Sequence, residues 1–492
     1  MASSIPTPEK QRTTRTPATF AVGNYINGRW EPEGDGSFIT VLDKYHGTEL
    51  ARLPRASAAQ MDQAIAAATA SAPALRALSA GERSATLENL AQRIEEKAEL
   101  FAHTIMQEAG KPIGYARGEV ERALVTVRTA AAEALRFTGE SVALDFGKGT
   151  GKTAFTKRVP VGVVAAITPF NFPLNLVLHK VAPAMATGCP VVLKPASATP
   201  LSALLLAGLI AEIGWPAGAF NVLLCDNSVA ESLVKDDRVA MLSFTGSDAV
   251  GWKLKAISGR KKVALELGGN AAVIIDEGTD LPAAAKAVAM GANLYAGQTC
   301  ISTQRIFATE PRFDPFSKML VQEFEALKAG DPADPEVSVG PIIDGRHFQR
   351  IQDWCAEAVQ GGARVLTGGK VLDEAHHVFA ATLLTNTNAQ MKVDRDEVFG
   401  PLTVIEPVKD IGAAIQRVND SRYGLQAGVF TNNLAHVKRA HDELEVGGVI
   451  INGTPGFRID SMPYGGVKDS GLGREGVRYA MEEMTEPRLM VY

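Results

Sequence analysis

The sequence predicts an α/β fold with two doubly wound domains and a strand-rich arm, and three observations carry that expectation. Fully apolar runs at 162–167, 191–193, 221–224, 239–244 and 271–275 alternate with helical stretches. Strands of that kind belong to a parallel sheet covered on both faces. The alternation resumes after residue 300, and a chain of 492 residues exceeds one simple core, so two or three domains are expected.

In chain order, residues 1–20 are rich in Ser, Thr, Pro, Lys and Arg, lack an apolar core segment and read as a disordered tail. Tyr25 to Trp30 encloses Asn27-Gly28, a hairpin turn. Residues 57–72 and 81–109 read as amphipathic, Ala-rich helices, with Ser57 as N-cap of the first and Pro73 as its stop; 113–137 is a third. The polar alternating stretch 147–160 reads as a projecting strand pair. Helices at 174–187, 202–213, 228–234 and 249–258 separate the apolar strands, and 283–296 is another helical run. Beyond it come strand 304–308, helices 313–327 and 348–360, strand 363–366 and a terminal strand 487–492.

Composition excludes several classes of function. Hydrophobic residues make up 46% and charged residues 21%, with a net charge of −5, so no basic surplus points to nucleic acid or to an anionic membrane. No apolar run reaches membrane-spanning length. Cys189, Cys225, Cys300 and Cys355 are widely spaced, which disfavours disulfides and structural zinc and fits a reducing, cytoplasmic setting. His376-His377 reads as a loop doublet, and no metal site is expected.

Five stretches bear chemistry. Gly297-Gln298-Thr299-Cys300 places a cysteine among small and polar residues at an element end, where a thiolate can be exposed; a buried structural cysteine is the plainer reading of that stretch alone. Leu265-Glu266-Leu267-Gly268-Gly269 sets a carboxylate between leucines, either a general base of raised pKa or an edge glutamate. Thr168-Pro169-Phe170-Asn171 follows a strand end, and Asn171 is a turn asparagine or an amide donor to an oxyanion. Lys194-Pro195-Ala196-Ser197 puts a lysine at the end of a buried strand, where α/β sheets bind ligands. Phe244-Thr245-Gly246-Ser247 closes a strand and opens a helix, a place suited to phosphate, although the GxGxxG fingerprint is absent.

Together, in this order and spacing, the five stretches resemble the aldehyde dehydrogenase superfamily, and Glu397-Val398-Phe399-Gly400-Pro401 and Pro463-Tyr464-Gly465-Gly466 continue the likeness from about residue 25 to the end. The resemblance implies Cys300 as nucleophile, Asn171 with the Cys300 N–H as oxyanion donors and Glu266 as the base that hydrolyses a thioester to the acid. It implies an NAD or NADP site with Lys194 and Glu397 at the ribose hydroxyls. Gly246 and Ser247 would lie at the pyrophosphate, Phe399 near the nicotinamide ribose, and Thr168, Pro169, Phe170, Ala196, Phe244 and Leu267 around them. Ser197, where NAD-preferring members carry glutamate, leaves room for a 2′-phosphate, so NADP acceptance is expected. Arg122, His179, Thr299, Arg458 and Tyr464 fall on the family's substrate funnel, and the cations among them imply an anionic far end on a short aldehyde.

The chain resembles the branch of lactaldehyde, phosphonoacetaldehyde, non-phosphorylating glyceraldehyde-3-phosphate and succinate-semialdehyde dehydrogenases. Thr299 stands where phosphate users add arginine, which favours succinate semialdehyde. By the same likeness, 21–143 and 160–268 form the cofactor domain, 269–470 the catalytic domain, and 144–159 with 471–492 the arm of a homodimer or homotetramer. Three rivals remain: CoA as thioester acceptor, which Glu266 opposes; a non-catalytic binding protein of the same fold; and a cysteine hydrolase with His179 as base.

Overall fold

The computed structural model describes residues 23–492, so the tail expected at 1–20 lies outside the described residues. Two large sheets organise the chain. The core of the first has five parallel strands in the spatial order Phe220–Val222, Val191–Lys194, Val163–Ile167, Val239–Thr245, Lys262–Glu266. The first of these in the chain, Val163–Ile167, lies in the middle, and successive connections leave it in opposite directions. That reversal opens a crevice at the carboxyl ends of Val163–Ile167 and Val239–Thr245. The Asn24–Ile26/Arg29–Glu31 hairpin extends one edge, and Gly471–Leu472 closes the other antiparallel. Asn27 and Gly28 both have positive φ (51° and 78°), as the tight hairpin turn requires.

The second sheet runs Arg364–Thr367, Thr382–Thr385, Leu402–Val408, Arg305–Thr309, Ala272–Ile275, Gln426–Phe430, Gly448–Ile451, parallel except for its first pair. Val163, Val164, Val273 and Ile274 are fully or almost fully buried, and apolar helices cover both faces of each sheet. The loop after Val163–Ile167 meets the loop before Arg305–Thr309, so the carboxyl edge of the first sheet faces the amino edge of the second across a cleft.

Several local expectations need correction. Pro73 does not stop the first helix but sits inside Ala58–Ala77, because buried Ser71 and Leu75 hold the following turn on the core. Ser57 does cap it, exchanging hydrogen bonds with Gln60. The helix expected at 81–109 is two, Ala80–Glu96 and Ala98–Ala109, broken at Lys97. At 147–160 there is no hairpin: Gly147–Gly149 is one 3₁₀ turn, and the strand Ala154–Pro160 pairs instead with Ser141–Val142 and the terminal strand Thr485–Val491. The segment 471–492 divides. Gly471–Leu472 joins the first sheet and the helix Val477–Glu483 packs against Asn175–Thr187, so only Thr485–Val491 belongs to the projecting sheet. Among the described residues no helix is long and apolar enough to cross a membrane, and no cluster of His, Cys, Asp and Glu could hold a metal ion.

Candidate active site

A sharp backbone feature places Cys300. The helix Leu281–Asn293 gives way to Tyr295, Ala296 and Gly297, all with left-handed φ (51°, 52° and 70°). A side chain at Gly297 would meet the Gly400 carbonyl at 2.1 Å, so only glycine permits this turn. Gln298 fastens it by accepting from Ile343 N and donating to Pro341 O. Cys300 thereby reaches a cleft of about 520 Å³ that Asn171, Glu266, Thr299, Tyr464, Arg122 and Arg458 also line.

The Cys300 Sγ lies 3.2 Å from the Tyr464 hydroxyl, and burial pushes its thiol up to about 11, against the lowering effect of that hydrogen bond. Asn171 Nδ2 donates to Gln298 O at 3.0 Å, which ties the amide to the cysteine turn; its Oδ1 has no protein partner. Glu266 ends the strand Lys262–Glu266, and neither of its carboxylate oxygens has a protein partner. Burial, then the neighbouring Glu475 carboxylate, raise its pKa well above the ordinary value. A thiol, an amide and an unpartnered carboxyl on one cleft can form a covalent adduct with a carbonyl, hold the resulting charge and move the proton of a water.

A second cleft of about 370 Å³ opens from the first, with Pro169, Phe170, Gly246 and Ser247 lining both. It is the crevice that the strand order creates. Lys194, Ala196, Ser197, Thr168 and Phe244 line it, whereas Leu267, Glu397 and Phe399 lie on the Cys300 side. Ser247 is the N-cap of the helix Asp248–Ile257, yet its side chain makes no capping bond, which leaves that helix start facing the crevice. Gly246 has no room for a side chain beside the Phe244 ring. Glu397 accepts from Gly269 N at 3.0 Å, lies where a side chain at Gly268 would be, and is pushed up to about 7 by burial. Phe399 has φ 48° and meets Phe170 edge-on, 5.7 Å between centroids.

The cationic funnel differs from the expectation in one residue and in its company. His179 does not line the cleft; it is fully buried behind it, with Nε2 2.7 Å from Asp460 Oδ1. Its Nδ1 faces an Arg458 amino group at 3.3 Å, and arginine can only donate, so Nδ1 accepts and the ring is neutral. Burial, then Arg458, lower its pKa in the same sense. Arg122 pairs with Asp460 at 2.7 Å and Arg458 with Glu475 at 3.1 Å; Lys180 reaches Glu475 at 2.9 Å. Internal carboxylates thus meet cations that sequence reasoning left for a ligand to meet. Each arginine nevertheless keeps a buried Nε without a protein partner. Asp460, Glu475 and Lys180 were missed. The adjacent pair His179-Lys180 in the middle of the mostly apolar, buried helix Asn175–Thr187 was the available signal.

Comparison with known proteins identifies the family. The aldehyde dehydrogenase family model matches residues 30–490. A 3-sulfolactaldehyde dehydrogenase of Priestia megaterium is 44% identical over 472 residues, covering 95% of this chain and 97% of its own. The crystal structure of aldehyde dehydrogenase 21 from Physcomitrella patens in complex with the reaction product succinate is 40% identical, with a TM-score of 0.92 over 96% of this chain and 98% of its own. An NADP-dependent glyceraldehyde-3-phosphate dehydrogenase from Bacillus halodurans, complexed with NADP, is 34% identical, with a TM-score of 0.93 over 96% and 99%. The chain belongs to the aldehyde dehydrogenase family. Its activity is accordingly NAD(P)-dependent oxidation of an aldehyde.

Proposed function

We propose that this enzyme oxidises a short aldehyde with an anionic far end, succinate semialdehyde before 3-sulfolactaldehyde, to the carboxylic acid. The observation that supports this reading most is that Arg122 and Arg458 both line the cleft that Cys300 enters, and each keeps a buried Nε–H that no protein atom accepts. A buried N–H left without an acceptor is costly, and a ligand carboxylate or sulfonate removes that cost. The sulfolactaldehyde relative and the succinate-bound neighbour both handle anionic molecules of this size.

In the mechanism we infer, the Cys300 thiolate adds to the aldehyde carbon, and the amide of Asn171 with the Cys300 N–H holds the oxyanion. The crevice residues fit a dinucleotide: Lys194 is a largely buried strand-end lysine whose one hydrogen bond among the described residues is to the Pro195 carbonyl, and the helix Asp248–Ile257 begins at Ser247 with no side-chain cap from that residue. These residues would hold NAD(P), which would supply the hydride acceptor that the adduct needs. The thioester then left on Cys300 is hydrolysed as Glu266 takes a proton from water, and Cys300 departs as thiolate. The unpartnered Glu266 oxygens favour water over CoA as acceptor.

Ser197 on the adenosine side of the crevice supports NADP use. Ser197→Glu should raise the KM for NADP by about tenfold or more while sparing NAD, read from initial rates with each cofactor. For the substrate, rates with succinate semialdehyde, 3-sulfolactaldehyde and propanal are decisive. The anionic aldehydes should be strongly preferred, and Arg122→Ala and Arg458→Ala should each raise their KM by about tenfold or more. Equal turnover of propanal would sink the anionic reading.

We also propose the domain division drawn from the sequence, amended so that 471–484 stay with the first sheet. The sheet of Ala154–Pro160 and Thr485–Val491 would be the arm of a homo-oligomer; exposed Leu489, Met490 and Tyr492 support it. The free cysteines fit a cytoplasmic setting.

A further inference from the structure

Behind the far end of the cleft lies more charge than two arginines, and Asp460 joins Arg122 to His179 there. It accepts from Arg122 at 2.7 Å and from His179 at 2.7 Å, with Asn175 Nδ2 at 3.5 Å, and only 2% of it is exposed. It does not line the cleft. Glu475, 3% exposed, divides its oxygens between Lys180 and Arg458. Lys111 and Glu119, also buried nearby, pair with each other.

We propose that Asp460 is a positioning residue that sets charge selectivity: by offsetting Arg122 it leaves this cluster with one uncompensated positive charge, so the site accepts monoanionic aldehydes and discriminates against dianionic ones. The proposal rests on the anionic-aldehyde reading and narrows it. Among these groups Arg122, Arg458 and Lys180 are cations, and Asp460 and Glu475 are carboxylates. His179 adds no charge, because Arg458 donates to one ring nitrogen while the other donates to Asp460. Glu266 serves the water-activating end of the cleft and makes no hydrogen bond to any member of this cluster, so it stands outside the count. Although burial alone would raise them, Lys180 and Arg458 hold Glu475 below the usual carboxylate range, and the hydrogen bond from His179 with the charge of Arg122 holds Asp460 well below it, so both stay ionised. A carboxylate or sulfonate balances the remaining charge. A phosphate or phosphonate dianion brings a second negative charge into a buried cleft where nothing meets it.

The test compares 3-sulfolactaldehyde with glyceraldehyde-3-phosphate, which share a hydroxyaldehyde head and differ by about one charge near pH 8. The readout is the ratio of their kcat/KM values within one preparation, which does not depend on the fraction of folded enzyme. Wild type should favour the sulfonate, and Asp460→Asn should move the ratio about tenfold towards the phosphate, by freeing the charge of Arg122. Asp460→Glu, which keeps the charge, should hold the wild-type ratio. Asp460→Ser repeats the test should the asparagine variant not fold. A ratio in both neutral variants within about twofold of wild type would overturn the proposal. Wild-type turnover of propanal equal to that of the sulfonate would instead overturn the anionic reading itself, so the two failures are distinguishable.

Discussion

Cys300→Ser should abolish aldehyde oxidation, lowering kcat by about 10³-fold or more, while NADP still binds. The size of the loss follows from the geometry. Both covalent intermediates in the account, the first adduct and the thioester, are carried on this sulfur, which the left-handed turn at Tyr295–Gly297 brings onto the cleft beside Asn171. A serine hydroxyl has a far higher pKa than the thiol and no neighbouring base placed to activate it, since Glu266 is reserved for water. Steady-state rates and a NADP binding titration together check this. Full activity in Cys300→Ser would remove the nucleophile from the account.

Glu266→Gln should lower kcat by about 10²-fold at neutral pH, with the loss falling on release of the acid and not on the hydride step. It should also change the pH profile. Burial, then Glu475, raise the Glu266 pKa, so the base form is gained only as pH rises through a value well above 4.5. Wild-type turnover therefore falls on the acid side of that value and rises above it. The Cys300 thiol, pushed up to about 11, adds a further rise towards alkaline pH because more thiolate forms. Glutamine cannot titrate, so the limb owed to Glu266 should vanish in the variant and the cysteine's should remain. Stopped-flow absorbance should show a burst of NADPH followed by a slow steady rate. An unchanged profile, or no burst, would contradict the role.

The parallel core of the first sheet was legible in the sequence because its strands are buried on both faces and read as continuous apolar runs, as at Val163–Ile167; of the second sheet only Ala272–Ile275, Arg305–Thr309 and Arg364–Thr367 were read, while Thr382–Thr385, Leu402–Val408, Gln426–Phe430 and Gly448–Ile451 were not. Pro73 misled because local propensity yields to the packing of Leu75. The reading of 147–160 as a hairpin failed because its strand finds its partner more than 300 residues away, in Thr485–Val491, which no local pattern shows. In the site, Cys300, Glu266 and Asn171 could be singled out because each lies in a short stretch of unusual composition at an element end. Asp460 and Glu475 could not. Their importance arises from His179 and Lys180, which lie 281 and 295 positions away in the chain and meet them only when folded. The same separation explains why the cations of the funnel were expected to meet their anion in the substrate and not in Asp460 and Glu475.

The most direct test of the account is the intact mass of Glu266→Gln after one turnover with NADP and succinate semialdehyde, quenched in acid. The account predicts a mass gain equal to one succinyl group less a hydrogen, mapped to Cys300 and absent from the Cys300→Ser variant. No adduct alongside NADPH formation, or an adduct that persists without Cys300, would contradict a thioester on this cysteine.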